Sequence, residues 1–327
     1  SGMRQAIFLT NAANVRLRAL TIREYTNGVE VWASTNVQIR GSAFVTNSVS
    51  GVWIVGIGSR RNSLVSNLFD GKGNGSSLGV SFSGGFANIV TNNTIRGNGW
   101  GVAFYNGNPD LNLVVGNTIR SNGAGVYFNT GGAARTYMVN NRIAANTSVG
   151  VYLSGASNFV LGNWITNSPT GIAGNGTVGN QIRGNVVRLA ADNAIALVNS
   201  TNAVVATNYV VAARNGIVFT NTKRLFAMAN TVTNISTFGI LSRSGSTNLV
   251  RGNTVSGGRW GISSVVGDSN LIVIDNRVSS ATDGIVIRGG VGATVRNNRV
   301  VDSVRYGFVI SNYSVAMQLN TYSNNRY

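Results

Sequence analysis

The chain has no cysteine and no histidine. The first absence excludes a disulfide framework and a thiolate metal site. The second excludes a nucleophile activated by imidazole. Acids are scarce too. Nine stand against 26 basic residues, at Glu24, Glu30, Asp70, Asp110, Asp192, Asp268, Asp275, Asp283 and Asp302. Glycoside hydrolysis needs two carboxyls flanking one bond, and calcium needs several oxygen ligands in one place. These scattered acids force neither arrangement, so no metal and no cofactor is expected. No apolar run is long enough to cross a bilayer. Lysine is almost missing as well. Lys72 and Lys223 are the two examples, and the other basic residues are all arginine, for a net charge of +17. The planar guanidinium fork pairs with carboxylate, sulfate or phosphate, so the charge favours polyanionic partners. The competing reading is that arginine only solubilises outward strand positions and blunts edges.

What is present is a repeat. Gly28, Gly51, Gly79, Gly101, Gly125, Gly150, Gly171, Gly216, Gly239, Gly261, Gly284 and Gly307 recur at nearly constant spacing, with Ala194 filling one place and one long step between Gly51 and Gly79. A second column holds the same phase: Asn67, Asn93, Asn117, Asn141, Asn163, Asn185, Asn208, Asn230, Asn253, Asn276, Asn298 and Asn320, preceded by Ser42 and Leu20. The residues three before and two after each Asn are apolar, as in Val114 and Ile119 around Asn117. Each segment is short and alternates with period two, which reads as strand. Two columns in phase over about thirteen repeats imply a solenoid of three strands per coil, each coil burying its face on its neighbours. Asn is expected at the left-handed turn position, its side chains bonding along the stack.

The pattern resembles the right-handed parallel β-helix superfamily with the pectin-lyase-like fold, over nearly the whole chain. It is less close to the periplasmic copper-maturation β-helix proteins. The resemblance implies an all-β, right-handed parallel β-helix of about thirteen coils, residues 1–327 forming one domain. It is specific for fold and weak for function, because the superfamily holds lyases, glycosidases, epimerases, esterases, tailspikes and passive adhesins. Solenoids need polar caps. Neither end shows one, and Ser1-Gly2 reads as an expression scar, so the chain is expected to be an excised core of a secreted or cell-surface protein. The insert from Asp70 to Ser77 is Gly-rich and polar, and is expected to be a mobile loop.

Enzymes of this superfamily bind substrate along the outer face of the first strand. Alternation places the second and fourth residues after each glycine there. In the early coils this set is aromatic: Trp32, Trp53, Tyr105, Tyr127 and Tyr152. Such rings stack on sugars, or on each other as a ladder along the strands. In the later coils it is aliphatic: Val198, Val218, Leu241, Val265, Val286 and Val309. Six of these in line reach about the upper limit of what a monomer leaves bare, so a second copy or a missing segment is expected over them. Arg96, Arg120, Arg183 and Arg251 are candidates for a polyanion-binding stripe.

Catalytic candidates are few: Glu30 on the face, Asp70 and Lys72 in the insert, and Arg243 and Arg288 on the late face. The absent histidine departs from the Asp-Pro-His-Glu motif of the alginate epimerases, and the scattered acids depart from the aspartate cluster of the polygalacturonases. Three functions remain: a non-catalytic scaffold binding acidic polysaccharide, a polysaccharide lyase with an Arg or Lys base, and a structural segment of a larger adhesin. Nucleic acid ranks below polysaccharide because no nucleic-acid motif is present.

Overall fold

The computed structural model describes residues 5–105, 107–129 and 134–323. The Ser1-Gly2 start and the last residues, 324–327, lie outside them. The described residues are strands and turns without helix, and the coils of the parallel solenoid number about thirteen. The chain divides into two compact units, Ser1–Ser168 and Pro169–Tyr327.

In the first unit each coil contributes one strand to each of three parallel sheets. The first sheet includes Asn27–Trp32, Ser50–Val55, Ala124–Phe128 and Val149–Leu153. The second includes Ile89–Thr91, Leu113–Val115 and Tyr137–Val139, and the third Thr118–Arg120 and Arg142–Ala144. Registers follow the repeat, with Val90, Val114 and Met138 on successive coils. All three are fully buried, as are Ile95, Ile119 and Ile143. The third residue after each glycine adds a further core column. Phe82, Phe104 and Phe128 stack there with centroids 4.8 and 4.6 Å apart.

Glycine opens the first strand because of close approach, not because of backbone sign. A Cβ on Gly101 would lie 2.6 Å from Gly125 O and 2.8 Å from Ile119 Cγ2. Neighbouring coils therefore exclude a side chain at that point.

The Asn column stacks as expected, but the left-handed residue is the one before it. Asn92 (φ 56°), Gly116 (φ 65°), Asn140 (φ 53°) and Thr207 (φ 54°) make the turn. The ladder Asn supplies its amide instead. Asn117 N–H and Nδ2 both donate to Asn141 Oδ1 at 3.0 Å, and Nδ2 also reaches Val90 O at 2.9 Å. Each amide thus satisfies backbone groups that a corner would leave bare. Two further ladders, which the two-column reading missed, flank it in this unit. Asn62 N–H donates to Asn88 Oδ1 and Asn88 N–H to Asn112 Oδ1, while Asn98 N–H donates to Asn122 and Asn122 N–H to Asn146. The signal was the spacing Asn112-x4-Asn117-x4-Asn122.

The insert is not a free loop. It lies within one strand, Leu68–Ser83, which pairs with Thr94–Phe104 through Asp70↔Arg96 and Asn74↔Asn98. Lys72, Gly73, Gly75 and Ser76 are exposed, but Asp70, Gly71 and Ser77 are buried. Its backbone finds ladder partners, which explains why its polar composition did not make it a loop.

The second unit repeats the plan. Asn193–Val198, Tyr209–Thr220 and Thr231–Arg243 pair in parallel, and the central ladder runs Asn208, Asn230, Asn253, Asn276, Asn298, Asn320.

Candidate functional site

Gly101 faces the core and so does fully buried Val102. Two inward residues in succession break the alternation, so the residue before each glycine faces outward together with the second and fourth after it. This adds Trp100 to the aromatic face, a position that strict alternation missed.

Register defines the face of the first unit. Glu30, Trp53, Ser81, Ala103, Tyr127 and Tyr152 occupy successive coils of one column. Trp100 stacks on Tyr127 (4.2 Å, 15°), and Tyr127 stacks on Tyr152 (4.9 Å, 13°). Tyr105 leans on Trp100 at 5.6 Å. Burial and neighbouring Tyr127 push the Tyr105 hydroxyl up to about 12, and burial with Tyr152 raises Tyr127. Both stay protonated donors at neutral pH. The faces of this stack are therefore spent on one another, leaving edges and hydroxyls outward.

Trp53 is different. Among the described residues no ring stacks on it, and its Nε1–H is held by Ser83 Oγ at 3.1 Å. The intervening coils place only Ser81 and Ala103 in its column. Small residues between large ones make a depression of about 270 Å³ lined by Val49, Trp53, Leu78, Ser81, Ser83 and Tyr105. Its two aromatic walls are two coils apart, about 9.6 Å at ~4.8 Å per coil. Trp32 shares the sheet and is exposed, pairing with Val55 on the next coil.

The catalytic candidates do not assemble. Glu30 is 4% exposed and accepts from Gln5 Nε2 at 2.8 Å and Asn27 Nδ2 at 3.4 Å. Asp70 lies in the third-sheet column beside Arg96, not in the Glu30 column, and it does not swing into the face. Burial raises its pKa, but the Lys72 N–H and Arg96 outweigh this and hold it below the usual carboxylate range. Lys72 Nζ sits 3.6 Å from the same carboxylate. Arg243 and Arg288 share a column with Val265 between them.

The arginine stripe separates into two sets. Arg96 and Arg120 are neighbours on the third sheet of the first unit, with Arg96 bound to Asp70 at 2.8 Å. Arg183 and Arg251 belong to the second sheet of the second unit, where Arg183 holds Gln181 and Arg251 holds Asp275.

The aliphatic strip of the late coils is corrected too. Ala196, Val218, Leu241, Ser263, Val286 and Val309 form one column, and Val198, Thr220, Arg243, Val265, Arg288 and Ser311 another. Polar residues interrupt both. Leu241 is 4% and Val286 0% exposed within the chain itself. Treating two columns as one line produced the expectation of a continuous bare strip. Apolar outward residues run instead along the second sheet of the first unit, where Ile89, Leu113 and Tyr137 succeed one another and Tyr137 stacks on Phe159 at 4.4 Å.

Coil geometry, registers and ladder define a parallel β-helix, and the chain belongs to the right-handed β-helix family, whose profile matches residues 124–278 and again 193–327. A second profile, periplasmic copper-binding protein (NosD), matches residues 1–148. Among solved structures the chain is similar to DFA-IIIase from Arthrobacter chlorophenolicus A6 (12% identity, 95% of this chain and 88% of that one, TM-score 0.54). It is also similar to the periplasmic alginate epimerase AlgG (15%, 95% and 78%, TM-score 0.53) and to the Agl-KA catalytic domain (14%, 86% and 62%, TM-score 0.54). At these identities the likeness establishes the fold. A search of curated proteins gave no match.

The copper in the second profile's name is not matched by donors. Copper sites draw on imidazole, thiolate and thioether. This chain has no His and no Cys, Met138 is sealed in the core, and half-buried Met228 and exposed Met317 lie on strands that do not pair with each other. Among the described residues no three of His, Cys, Asp and Glu come together. No helix among them is long and apolar enough to cross a membrane.

Proposed function

We propose that the protein is a secreted or surface scaffold that binds acidic polysaccharide on the outer face of the first sheet, without catalysing a reaction on it. The carrying observation is the open indole of Trp53 in a depression walled by Tyr105 and floored by Ser81 and Leu78. A flat apolar ring with hydroxyl groups around it suits a pyranose. Trp53, with Trp32 beside it, does the stacking, while Tyr105, Tyr127 and Tyr152 supply hydroxyls from a ladder whose faces are closed. The charge of +17 selects acidic polymers over neutral ones. Similarity to an alginate epimerase and the periplasmic name of one matching profile support a glycan-facing, extracytoplasmic setting. Binding rather than chemistry is favoured because Glu30 and Asp70 are engaged in separate columns.

The test is affinity electrophoresis through gels containing polygalacturonate. Trp53→Ala should weaken retention roughly three- to tenfold, the worth of one stacking ring, with an unchanged circular dichroism spectrum. Unaltered retention would remove the stacking role. A rise in ultraviolet absorbance from unsaturated product would replace the binder with a lyase.

A further inference from the structure

The first-sheet face of the second unit carries a separate cluster of different chemistry. Trp260 precedes Gly261, and the next coil places Asp283 directly beside it. Asp283 is 0% exposed. Trp260 Nε1–H donates to its Oδ2 at 3.0 Å, Arg305 Nε donates to its Oδ1 at 2.8 Å, and a second Arg305 nitrogen holds Oδ2. Burial raises this carboxyl, but Arg305, the Trp260 N–H and the charge of Arg288 outweigh it, so it stays ionised. Its oxygens are used within the protein, and they pin the indole by its N–H edge.

The ring of Trp260 then carries two more guanidiniums. Arg259 Cζ lies 4.8 Å from its centroid and Arg288 Cζ 5.8 Å, while Phe238 braces the ring at 4.8 Å. Among the described residues neither Arg259 nor Arg288 is ion-paired. Arg305 is bound to Asp283, and one carboxylate against three guanidiniums leaves the cluster with an excess of positive charge. A guanidinium lying on an indole keeps its in-plane N–H groups for an outside acceptor, and two such forks suit a carboxylate.

We propose that Arg259 and Arg288, positioned by Trp260 and the buried Asp283, form a carboxylate-reading subsite for the uronate units of the polysaccharide. The inference rests on the binding function proposed above and names what selects the acidic sugar. The Trp53 depression takes the ring whatever its charge; the Trp260 cluster takes the charge.

The experiment compares retention on polygalacturonate with retention on its methyl ester, which keeps the ring and loses the charge. A third gel carries a sulfated galactan. Wild type, Trp53→Ala and the double variant Arg259→Gln/Arg288→Gln are run on each, with circular dichroism as the folding check. The wild type should prefer the free acid, and the double variant should lose roughly tenfold on it while holding the ester as before. Trp53→Ala should weaken acid and ester alike and keep the preference. A double variant that keeps the full preference overturns the subsite and leaves the binding function standing. Loss confined to the sulfated galactan overturns the assignment to carboxylate. A wild type retained by none of the gels overturns the binding function and the subsite together.

Discussion

At the corners flanking the central Asn column, the first unit has Asn62, Asn88, Asn112 and Asn158 with Thr136 among them on one side, and Asn98, Asn122 and Asn146 on the other. At the same repeat positions the second unit is mostly apolar, with Ala203, Leu225, Leu271 and Ala293 beside Asn180 and Asn248, and Ala190, Ala213, Ile235 and Ala281 beside Ser303. Every one of these residues is buried. Both sets close a coil, but by different means. A ladder amide is satisfied only when the coil beside it is in register, so it specifies the pairing as well as stabilising it. An apolar corner gains from burial and is indifferent to small shifts. Most of the register shifts agree. In the second unit three irregularities, at Ala213/Asn215, Thr233/Ile235 and Gly290/Ala293, touch an apolar corner residue, and a fourth, at Val265/Asp268, does not. In the first unit they fall at Arg96/Asn98 and Asn98/Trp100, beside the insert. Asn248, an amide that remains in the second unit, still serves Leu225 N–H at 3.0 Å.

The largest effect should come from the column both units share. Asn117→Ala removes the acceptor of Asn93 N–H and Nδ2 and the donor to Val90 O. Orphaning buried backbone and amide groups should cost about 3 kcal/mol, read from denaturant midpoints. A smaller cost follows from giving the first unit the second unit's corner. Asn122→Leu orphans Asn98 N–H and Nδ2 and the Ile95 carbonyl, but it adds apolar burial that offsets part of this, for a net loss of about 2 kcal/mol. Hydrogen exchange at Asn98 should speed up in this variant. If Asn122→Leu costs as much as Asn117→Ala, the flanking ladder is not interchangeable with an apolar corner, and the comparison fails.

Most of the architecture was legible because a solenoid writes its period into the chain. Glycine recurs where coils touch, with Ala194 its one replacement, and Val114 or Ile119 must be apolar where cores stack. What was not legible depended on position within a coil. The residue carrying the left-handed turn differs from the residue carrying the amide, and Asn92 beside Asn93 looks the same in sequence. Trp100 was missed because the glycine breaks alternation, a local irregularity that residue types do not encode. The insert was misread because glycine and serine predict loops only when their backbone lacks partners, and Asn98 lies opposite Asn74 in the neighbouring strand. Glu30 was readable as an outward carboxylate, but its burial under Gln5 and Asn27 involves a residue of another coil. Arg259 was not singled out because its place next to Trp260 in the sequence does not say that its guanidinium sits over the indole.

The smallest expected effect concerns charge, and it has opposite signs in the two units. Asp70 in the first unit is buried, which raises its pKa, but Lys72 N–H and Arg96 more than reverse this. Asp268 in the second is 1% exposed, and burial raises its pKa despite hydrogen bonds from Ser264, Gly245 N–H and Ser242. For Asp70 the folded state is the stronger acid. Its stabilisation is present above the ordinary pKa of 3.8 and is lost as pH falls through the folded value. For Asp268 the unfolded state is the stronger acid. Stability therefore falls as pH rises from 3.8 through the folded value, and the full penalty persists at neutral pH. Asp70→Asn should lower the unfolding temperature at about pH 7, with the difference shrinking in acid. Asp268→Asn keeps an oxygen for Gly245 N–H and offers a donor to Ser264. It should raise the unfolding temperature at about pH 7 and converge on the wild type near pH 3. Thermal unfolding of both variants across that range is the measurement. If Asp268→Asn destabilised at neutral pH as Asp70→Asn does, the three donors around Asp268 would outweigh its burial, and that carboxylate would be a corner anchor of the same kind as the first unit's amides.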